Sequence, residues 1–244
     1  MTALRHEVAA GEDPAIVFLH EGAGSGQLWA GLRDVLRGGR RALLYDRRGF
    51  GGSPRNASFG ADHFEQAVDD LVQLLHEVGS GPVDLVGHSD GGSVALLAAI
   101  RHPSTVRSVC AVATHVYADP HTVAALRSLG SVHEWDDRTR AHYERQHGDD
   151  WAQVVTSWLA MWTSGALETW DLRDELSAIQ CPVLVVHDRD DPLSPTEHAD
   201  AILGSVAGGQ VSWHNSGTHR PHLSDRERFA SDLQTFWTSV ATPR

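Results

Sequence analysis

The 244-residue sequence has only two cysteines, Cys110 and Cys181, and they do not form a CxxC pair. This scarcity excludes a disulfide-rich scaffold and argues against a zinc site built on paired cysteines. Both cysteines lie in or beside apolar runs that resemble buried strands. We therefore expect both to be small buried hydrophobic residues rather than partners in a disulfide.

Long apolar runs and positive charge are also scarce. No run approaches the roughly 18 apolar residues of a membrane span, and the first twenty residues lack the basic, apolar and small-residue order of a signal peptide. Lys and Arg number 20 against 32 Asp and Glu, which gives a net charge of −12. Nucleic acids and anionic membranes require clustered cations, so both are disfavoured as partners. We expect a cytoplasmic protein with a small-molecule substrate, either monomeric or dimeric.

Motifs for metals and cofactors are missing, although the sequence has 16 histidines. His142 and His147 are five positions apart and His115 and His121 are six apart, and neither spacing brings two rings together on a helix. There is no HExxH, no P-loop lysine and no GxGxxG after the first predicted strand. We therefore predict no metal site and no cofactor.

Short apolar runs alternate with helical patterns along the chain. The runs are rich in Val, Ile and Leu, which is typical of strands covered on both faces, and they lie at residues 15–20, 41–46, 83–88, 106–114, 183–187 and, more weakly, 211–215. Helical patterns occupy residues 64–78, 93–100, 195–203 and 226–240. This alternation predicts an α/β fold, with a mostly parallel sheet and helices on both faces.

Residues 115–176 break the alternation. They show no strand pattern, and they contain five of the eight tryptophans: Trp135, Trp151, Trp158, Trp162 and Trp170. The segment follows the C-terminal end of a strand, the edge where an open parallel sheet binds ligands. We predict that residues 1–114 and 177–244 form the core and that residues 115–176 form a helical cap over a pocket. Trp158 and Trp162 are the candidates to line it, and a plain helical subdomain with buried tryptophans is the alternative.

The stretch VGHSDGG, residues 86–92, places a G-x-S-x-G motif between a predicted strand and a predicted helix. Gly87 and Gly91 suit a sharp turn in which backbone meets backbone and a Cβ atom would clash. Ser89 would then lie at the N-terminus of a helix, where free N–H groups favour developing negative charge. Ser89 is therefore a candidate nucleophile; the alternative is a serine that only caps the helix.

A nucleophilic serine needs a histidine base and an acid that orients it. The segment HDRDDPLSP follows a predicted strand and supplies Asp188, Asp190 and Asp191. The segment NSGTHRPHLSDRERF follows the last predicted strand and supplies His219 and His222. The carboxyl ends of parallel strands meet at one edge of the sheet, so these groups are candidates for one site.

Four motifs together resemble those of the α/β-hydrolase superfamily, along nearly the whole chain. They are HEGAGS, YDRRGFGGS, GHSDGG, and the acid and histidine loops. The family's acid loop usually reads Gly-x-x-Asp-Pro and its histidine loop His-x-Pro-His-Leu. The resemblance implies that Ser89 is the nucleophile, Asp191 the acid and His219 the base, with Asp190 as the alternative acid.

The segment YDRRGFGGS is predicted to do no chemistry. Asp46, Arg48 and Ser53 fit a network of hydrogen bonds in a turn that follows a strand. The glycines of the segment would supply the positive φ angles that such a turn needs.

Two carboxylates depart from the usual pattern of the family beside its oxyanion hole. The resemblance implies that the backbone N–H groups of Gly22 and Asp90 form this hole. Glu21 stands where the family has glycine, and it either hydrogen-bonds within the protein or faces the substrate. Asp90 either caps the helix or, together with Glu21, selects a substrate that carries an amine, since some relatives with an SDGG elbow act on amino-acid esters.

The sequence therefore predicts a serine hydrolase that needs no cofactor and forms an acyl-enzyme from a small carboxylic ester. Relatives on the same fold cleave carbon–carbon bonds or act as lyases, and the fold does not fix the substrate. A ligand-binding protein on a hydrolase fold is the other alternative. It is disfavoured because such a protein has no need for all three members of a triad.

Overall fold

A seven-stranded sheet forms the centre of the computed structural model, which describes residues 3–55 and 59–241. The strands are β1 (His6–Ala9), β2 (Glu12–Leu19), β3 (Arg40–Tyr45), β4 (Val83–His88), β5 (Val106–Val112), β6 (Val183–Asp188) and β7 (Gln210–His214). Their spatial order is β1-β3-β2-β4-β5-β6-β7, and β1 runs antiparallel to β3 while the other pairs are parallel. The predicted α/β fold with a mostly parallel sheet is confirmed.

Nine α-helices connect and cover the strands in the described part of the chain. They are α1 (Gln27–Leu36), α2 (His63–Glu77), α3 (Asp90–Arg101), α4 (Pro120–Ser128), α5 (Asp137–His147), α6 (Trp151–Thr163), α7 (Thr196–Ser205), α8 (Pro221–Ser224) and α9 (Arg226–Ala241). All four predicted helices are present as α2, α3, α7 and α9. Across residues 3–55 and 59–241, no helix combines the length and the apolar character needed to cross a bilayer.

Each face of the sheet has its own hydrophobic core. Ile16 and Phe18 of β2 pack with Trp29 of α1 and Phe229 of α9 on one face. The residue between them, Val17, points to the other face, where it joins the cluster formed with α2 and α3. This division follows from the two-residue period of a strand. It explains why residues 15–19 of β2 are apolar at every position.

Residues 115–176 connect β5 to β6 and contain α4, α5 and α6. Their described residues form no strand apart from an isolated bridge between Tyr117 and Asp171. Trp151 and Trp162 are buried in the same hydrophobic cluster as α2 and α3. The segment is therefore helical, and its role as a cap remains a prediction.

The two cysteines differ in burial. Cys110 lies inside β5 and is buried, whereas Cys181 lies just before β6 and is only half-buried. The expectation of burial is thus correct for Cys110 and wrong for Cys181, because the chain at Cys181 has not yet entered the sheet. Both are free thiols.

Candidate active site

Ser89 lies in a strained turn between β4 and α3. Its φ of 52° and ψ of −121° are unusual for a residue with a side chain. The backbone N–H of Ser89 donates to the carbonyl of Val112, at 2.8 Å, which fixes the turn against β5. The Ser89 hydroxyl makes no capping hydrogen bond to α3 and has no hydrogen-bond partner elsewhere in the described chain. The helix-cap alternative is therefore wrong, and the hydroxyl is free.

The glycines around Ser89 allow backbone segments to touch. A Cβ atom on Gly87 would lie 2.3 Å from the carbonyl oxygen of Gly91, and one on Gly91 would lie 2.4 Å from that of Leu19. Real Cβ atoms essentially never approach so closely. The predicted clash at Gly87 and Gly91 is confirmed.

His219 and Asp191 form a hydrogen-bonded pair. The Nδ1 atom of His219 lies 2.9 Å from Oδ2 and 3.1 Å from Oδ1 of Asp191. Asp191 also accepts the backbone N–H groups of Leu193 and Ser194, at 2.8 and 3.0 Å. Burial alone would raise the pKa of Asp191, but the hydrogen bonds from His219 and from these amides lower it. An ionised Asp191 places the ring proton on Nδ1, which leaves Nε2 of His219 able to accept a proton.

The other two aspartates of the acid loop do not contact the His219 ring. Asp190 is exposed. Asp188 is buried, and it accepts the N–H groups of Ser216 and Gly217, at 2.7 and 3.1 Å, and the Ser216 hydroxyl, at 2.6 Å. Asp188 thus ties the histidine loop to the end of β6, while Asp191 holds the histidine ring.

Ser89 and His219 line the same cavity, which has a volume of about 310 Å³. The segment between β5 and β6 supplies one wall of it: Leu126, Leu129, Tyr143, Trp158 and Trp162. The side chains predicted to contact substrate all line the cavity: Glu21, Asp90, Trp158 and Trp162. The structure thus brings the predicted substrate contacts to the predicted nucleophile.

Gly22 and Asp90, the predicted oxyanion donors, also line this cavity. Asp90 is the first residue of α3, so its N–H has no acceptor within the helix. A Cβ atom on Gly22 would lie 2.2 Å from Nε1 of Trp158. Gly22 therefore leaves room for Trp158 to pack against the loop that follows β2.

The Asp90 carboxylate is buried, and its two oxygens differ in their hydrogen bonding. Oδ2 accepts the indole N–H of Trp158, at 2.9 Å, and Oδ1 has no hydrogen-bond partner among the described residues. Nη2 of Arg47 lies 4.0 Å from Oδ2. Burial raises the pKa of Asp90, and Arg47 and Trp158 oppose this rise. The carboxylate accepts no backbone N–H of α3 in the described chain, so the capping alternative for Asp90 is wrong.

Arg47 belongs to the site, although the sequence analysis did not single it out. Its buried guanidinium donates to the carbonyl of Glu21, at 3.0 Å, and lies 3.1 Å from Nε2 of His63. Asp46 and Ser53 form part of the predicted turn network, in which the Ser53 hydroxyl donates to the carbonyl of Asp46 at 2.6 Å. The prediction is wrong for Arg48, because its guanidinium pairs with Asp70 of α2. One sequence feature indicates that Arg47 lies near the site: it comes just after β3, at the carboxyl edge of the sheet.

Both carboxylate oxygens of Glu21 have protein partners. Oε1 pairs with the guanidinium of Arg220, and Oε2 lies 2.6 Å from Nδ1 of His88. Burial alone would raise the pKa of Glu21, but Arg220 and His88 hold it well below the ordinary value. The negative charge of Glu21 is therefore balanced within the protein.

His115, Asp119 and His198 form a buried cluster whose ligand atoms lie within 4.8 Å of one another. Such a group could hold a metal ion, and two of its members are hydrogen-bonded to each other. Nδ1 of His198 accepts the N–H of Val116, at 3.4 Å, so its ring proton lies on Nε2, 2.9 Å from Asp119. We interpret the pair as a hydrogen bond that ties α7 to the chain before α4.

Sequence comparison relates the chain to known hydrolases. The profile of the alpha/beta hydrolase family matches residues 16–232. The serine hydrolase BPHL of Homo sapiens is 31% identical over 241 residues, which cover 95% of this chain and 82% of BPHL. RutD of Caulobacter sp. (strain K31), whose name provisionally assigns it carbamate hydrolysis, is 31% identical over 261 residues, covering 98% of this chain and 97% of RutD.

Solved structures share the fold. A hydrolase from Pseudomonas aeruginosa PA01 superposes with a TM-score of 0.78 at 19% identity, covering 96% of this chain and 94% of that one. The enol-lactonase from Burkholderia xenovorans LB400 superposes with a TM-score of 0.75 at 22% identity, covering 96% of each chain. At these identities the likeness concerns the fold and not the substrate.

Proposed function

The chain belongs to the alpha/beta hydrolase family, and we propose that it is a serine hydrolase that forms an acyl-enzyme from a small carboxylic ester. Ser89 is the proposed nucleophile, His219 the base and Asp191 the acid. One observation carries this proposal: Ser89, on its strained turn, and His219, which is paired with Asp191, line one cavity. The 31% identity to a serine hydrolase supports it.

In the proposed reaction, Nε2 of His219 takes the Ser89 proton as the hydroxyl oxygen attacks the ester carbonyl. The N–H groups of Gly22 and Asp90 stabilise the oxyanion. His219 returns the proton to the leaving alcohol, and then activates a water that releases the acid. Because the Ser89 hydroxyl has no partner in the free protein, we propose that substrate binding brings it within hydrogen-bond distance of His219.

We propose further that Asp90 selects an amine-bearing substrate. Asp90 lines the cavity, and its buried Oδ1 atom has no hydrogen-bond partner among the described residues, which suits an ammonium group that enters the site. Residues 115–176 act as the cap, since their side chains Leu126, Leu129 and Trp162 give an apolar wall. This wall would hold the uncharged part of the ester.

A substrate panel tests the reaction class. We expect the purified protein to hydrolyse short-chain p-nitrophenyl esters, and Ser89→Ala to reduce kcat/KM by about 10³-fold or more. A protein that cleaves vinylogous diketones but leaves every ester intact would overturn the ester assignment. Ester turnover that survives Ser89→Ala unchanged would overturn the role of Ser89.

A further inference from the structure

The Glu21 carboxylate joins three segments that meet at the active site. Glu21 lies in the loop after β2, His88 is the last residue of β4 and directly precedes Ser89, and Arg220 directly follows His219. Glu21 contacts both His88 and Arg220. The contacts of Glu21 with Arg220 and His88 therefore link three segments. They are the loop after β2, which holds the proposed oxyanion donor Gly22, the turn at Ser89 (the nucleophile turn) and the loop that carries His219 (the histidine loop).

His88 connects these contacts to the backbone of the proposed base, His219. Its Nε2 atom lies 2.7 Å from the carbonyl oxygen of His219. A carbonyl can only accept, so Nε2–H donates. The second ring nitrogen, Nδ1, lies 2.6 Å from Glu21, and this contact holds one shared proton, because a bare ring nitrogen and a bare carboxylate can both only accept. His88 is buried, and its ring also packs against that of His222, with 4.4 Å between the ring centroids. The His219 backbone is thus held by a ring that cannot turn freely.

The histidine loop is held on both sides of the base, and after the base the carbonyl of Arg220 accepts the N–H groups of Leu223 and Ser224. Residues 215–217 are exposed, and Gly217 adopts a positive φ of 64°. Asp188 holds the loop at Ser216 and Gly217, before the base. Glu21 holds it after the base, directly through Arg220 and, through His88, at the carbonyl of His219.

We propose that Glu21 is a positioning residue for the base. Its carboxylate fixes the backbone of His219 against the nucleophile turn, so that Nε2 meets the Ser89 hydroxyl when substrate binds. This inference rests on the proposed role of His219. It explains why a carboxylate occupies the glycine position beside the oxyanion hole: both of its oxygens point to Arg220 and His88.

Three variants test the proposal. Glu21→Ala removes both contacts. Glu21→Gln keeps them, because the amide oxygen can accept from Arg220 and the amide N–H can donate to a neutral His88. Asp84→Asn is the matched control, since Asp84 is also buried and paired with two arginines, Arg40 and Arg107, but lies near the opposite end of β4.

The measurements are kcat, KM, the rate of phosphonylation of Ser89 by a fluorophosphonate, and Tm. We expect Glu21→Ala to lower kcat and the phosphonylation rate about 10- to 100-fold with little change in KM, because a small misplacement of a catalytic group costs rate rather than binding. Glu21→Gln should recover most of this loss. Asp84→Asn should lower Tm but leave kcat per labelled site unchanged.

Two results would overturn the inference: a Glu21→Ala protein with wild-type kcat and phosphonylation rate, or equal losses in Glu21→Ala and Glu21→Gln. Should Glu21→Ala not fold, Arg220→Met removes one contact at a partly exposed side chain, and it too must lower kcat without raising KM. A wild-type protein that neither turns over esters nor reacts with the fluorophosphonate would instead contradict the proposed function.

Discussion

At the scale of single residues, the site contains charges that would each be costly to bury alone. Asp191 is paired with His219, Glu21 with Arg220 and His88, and Asp90 has only one of its oxygens hydrogen-bonded. The unpartnered oxygen is the exception. On our proposal, this oxygen is the one that accepts a hydrogen bond from an amine-bearing substrate.

The first prediction separates the two candidate acids. Asp191→Asn should lower kcat by about 10³- to 10⁴-fold, as expected when the acid of a triad can no longer fix the tautomer of its histidine. Asp190→Asn is the adjacent control, and it should change kcat by less than about threefold because Asp190 is exposed and does not contact the ring. Steady-state kinetics on one ester measures kcat for both variants. Comparable losses of kcat in the two variants would contradict the assignment of Asp191 as the acid.

The second prediction concerns Asp90. Asp90→Asn keeps an oxygen to accept from Trp158 but removes the charge. For an amino-acid ester, kcat/KM should fall about 10- to 100-fold, which corresponds to a hydrogen bond with a charged group. For the matching ester without the amine it should change little. Equal effects on the two esters would show that Asp90 does not recognise an amine.

Much of this site can be predicted from the sequence, because the motifs and their order along the chain identify the candidate catalytic residues. The resemblance identifies Ser89, Asp191 and His219, and in the structure Ser89 and His219 line one cavity while Asp191 is hydrogen-bonded to the ring of His219. The sequence could not give the pairings of Glu21 or Arg47, because these depend on which distant loops meet at the sheet edge. His198 and Asp119 were missed for the same reason.

At the scale of elements, six of the seven strands, β2 to β7, and the helices α2, α3, α7 and α9 follow from the periodicity of the sequence. The strand β1 was missed because it has four residues, three of them exposed, and no apolar run. The helix α1 was missed although Trp29, Leu32 and Leu36 form a buried stripe. The helix α3 begins at Asp90 rather than at residue 93, because close packing against the sheet imposes helix on Gly91 and Gly92 despite their low propensity.

The third prediction tests the turn between β4 and α3. Gly87→Ala would place a Cβ atom against the Gly91 carbonyl, and it should lower the free energy of unfolding by about 3 kcal/mol or more, or prevent folding. Gly81→Ala is the control in the loop before β4, where a Cβ atom meets nothing within 4 Å. Its effect should stay within about 0.5 kcal/mol by urea unfolding. A Gly87→Ala protein of wild-type stability would contradict the crowding described here.

At the scale of the whole molecule, buried neutral histidines couple folding to pH. In the described part of the chain, burial lowers the pKa of seven of them in the folded state: His20, His63, His88, His115, His147, His187 and His222. The pKa of His63 falls to about 3. Below about pH 6.5 the unfolded chain binds protons that the folded protein does not, so acid favours unfolding.

The fourth prediction is therefore a loss of stability on acidification. The free energy of unfolding should be nearly independent of these histidines above about pH 7 and should fall below about pH 6.5, by up to about 1.4 kcal/mol per pH unit for each histidine. His63→Gln keeps an acceptor for Arg47 and should make this slope shallower. Urea unfolding at several pH values measures it, and stability that rises on acidification would refute the argument.

The most direct test of the central claim, that Ser89, His219 and Asp191 act as one unit, is intact-mass analysis after fluorophosphonate treatment. We predict one adduct per chain, located on Ser89, that forms about 10³-fold more slowly in His219→Ala. No adduct on Ser89 in a folded wild-type protein, or an adduct that forms at the same rate without His219, would contradict it.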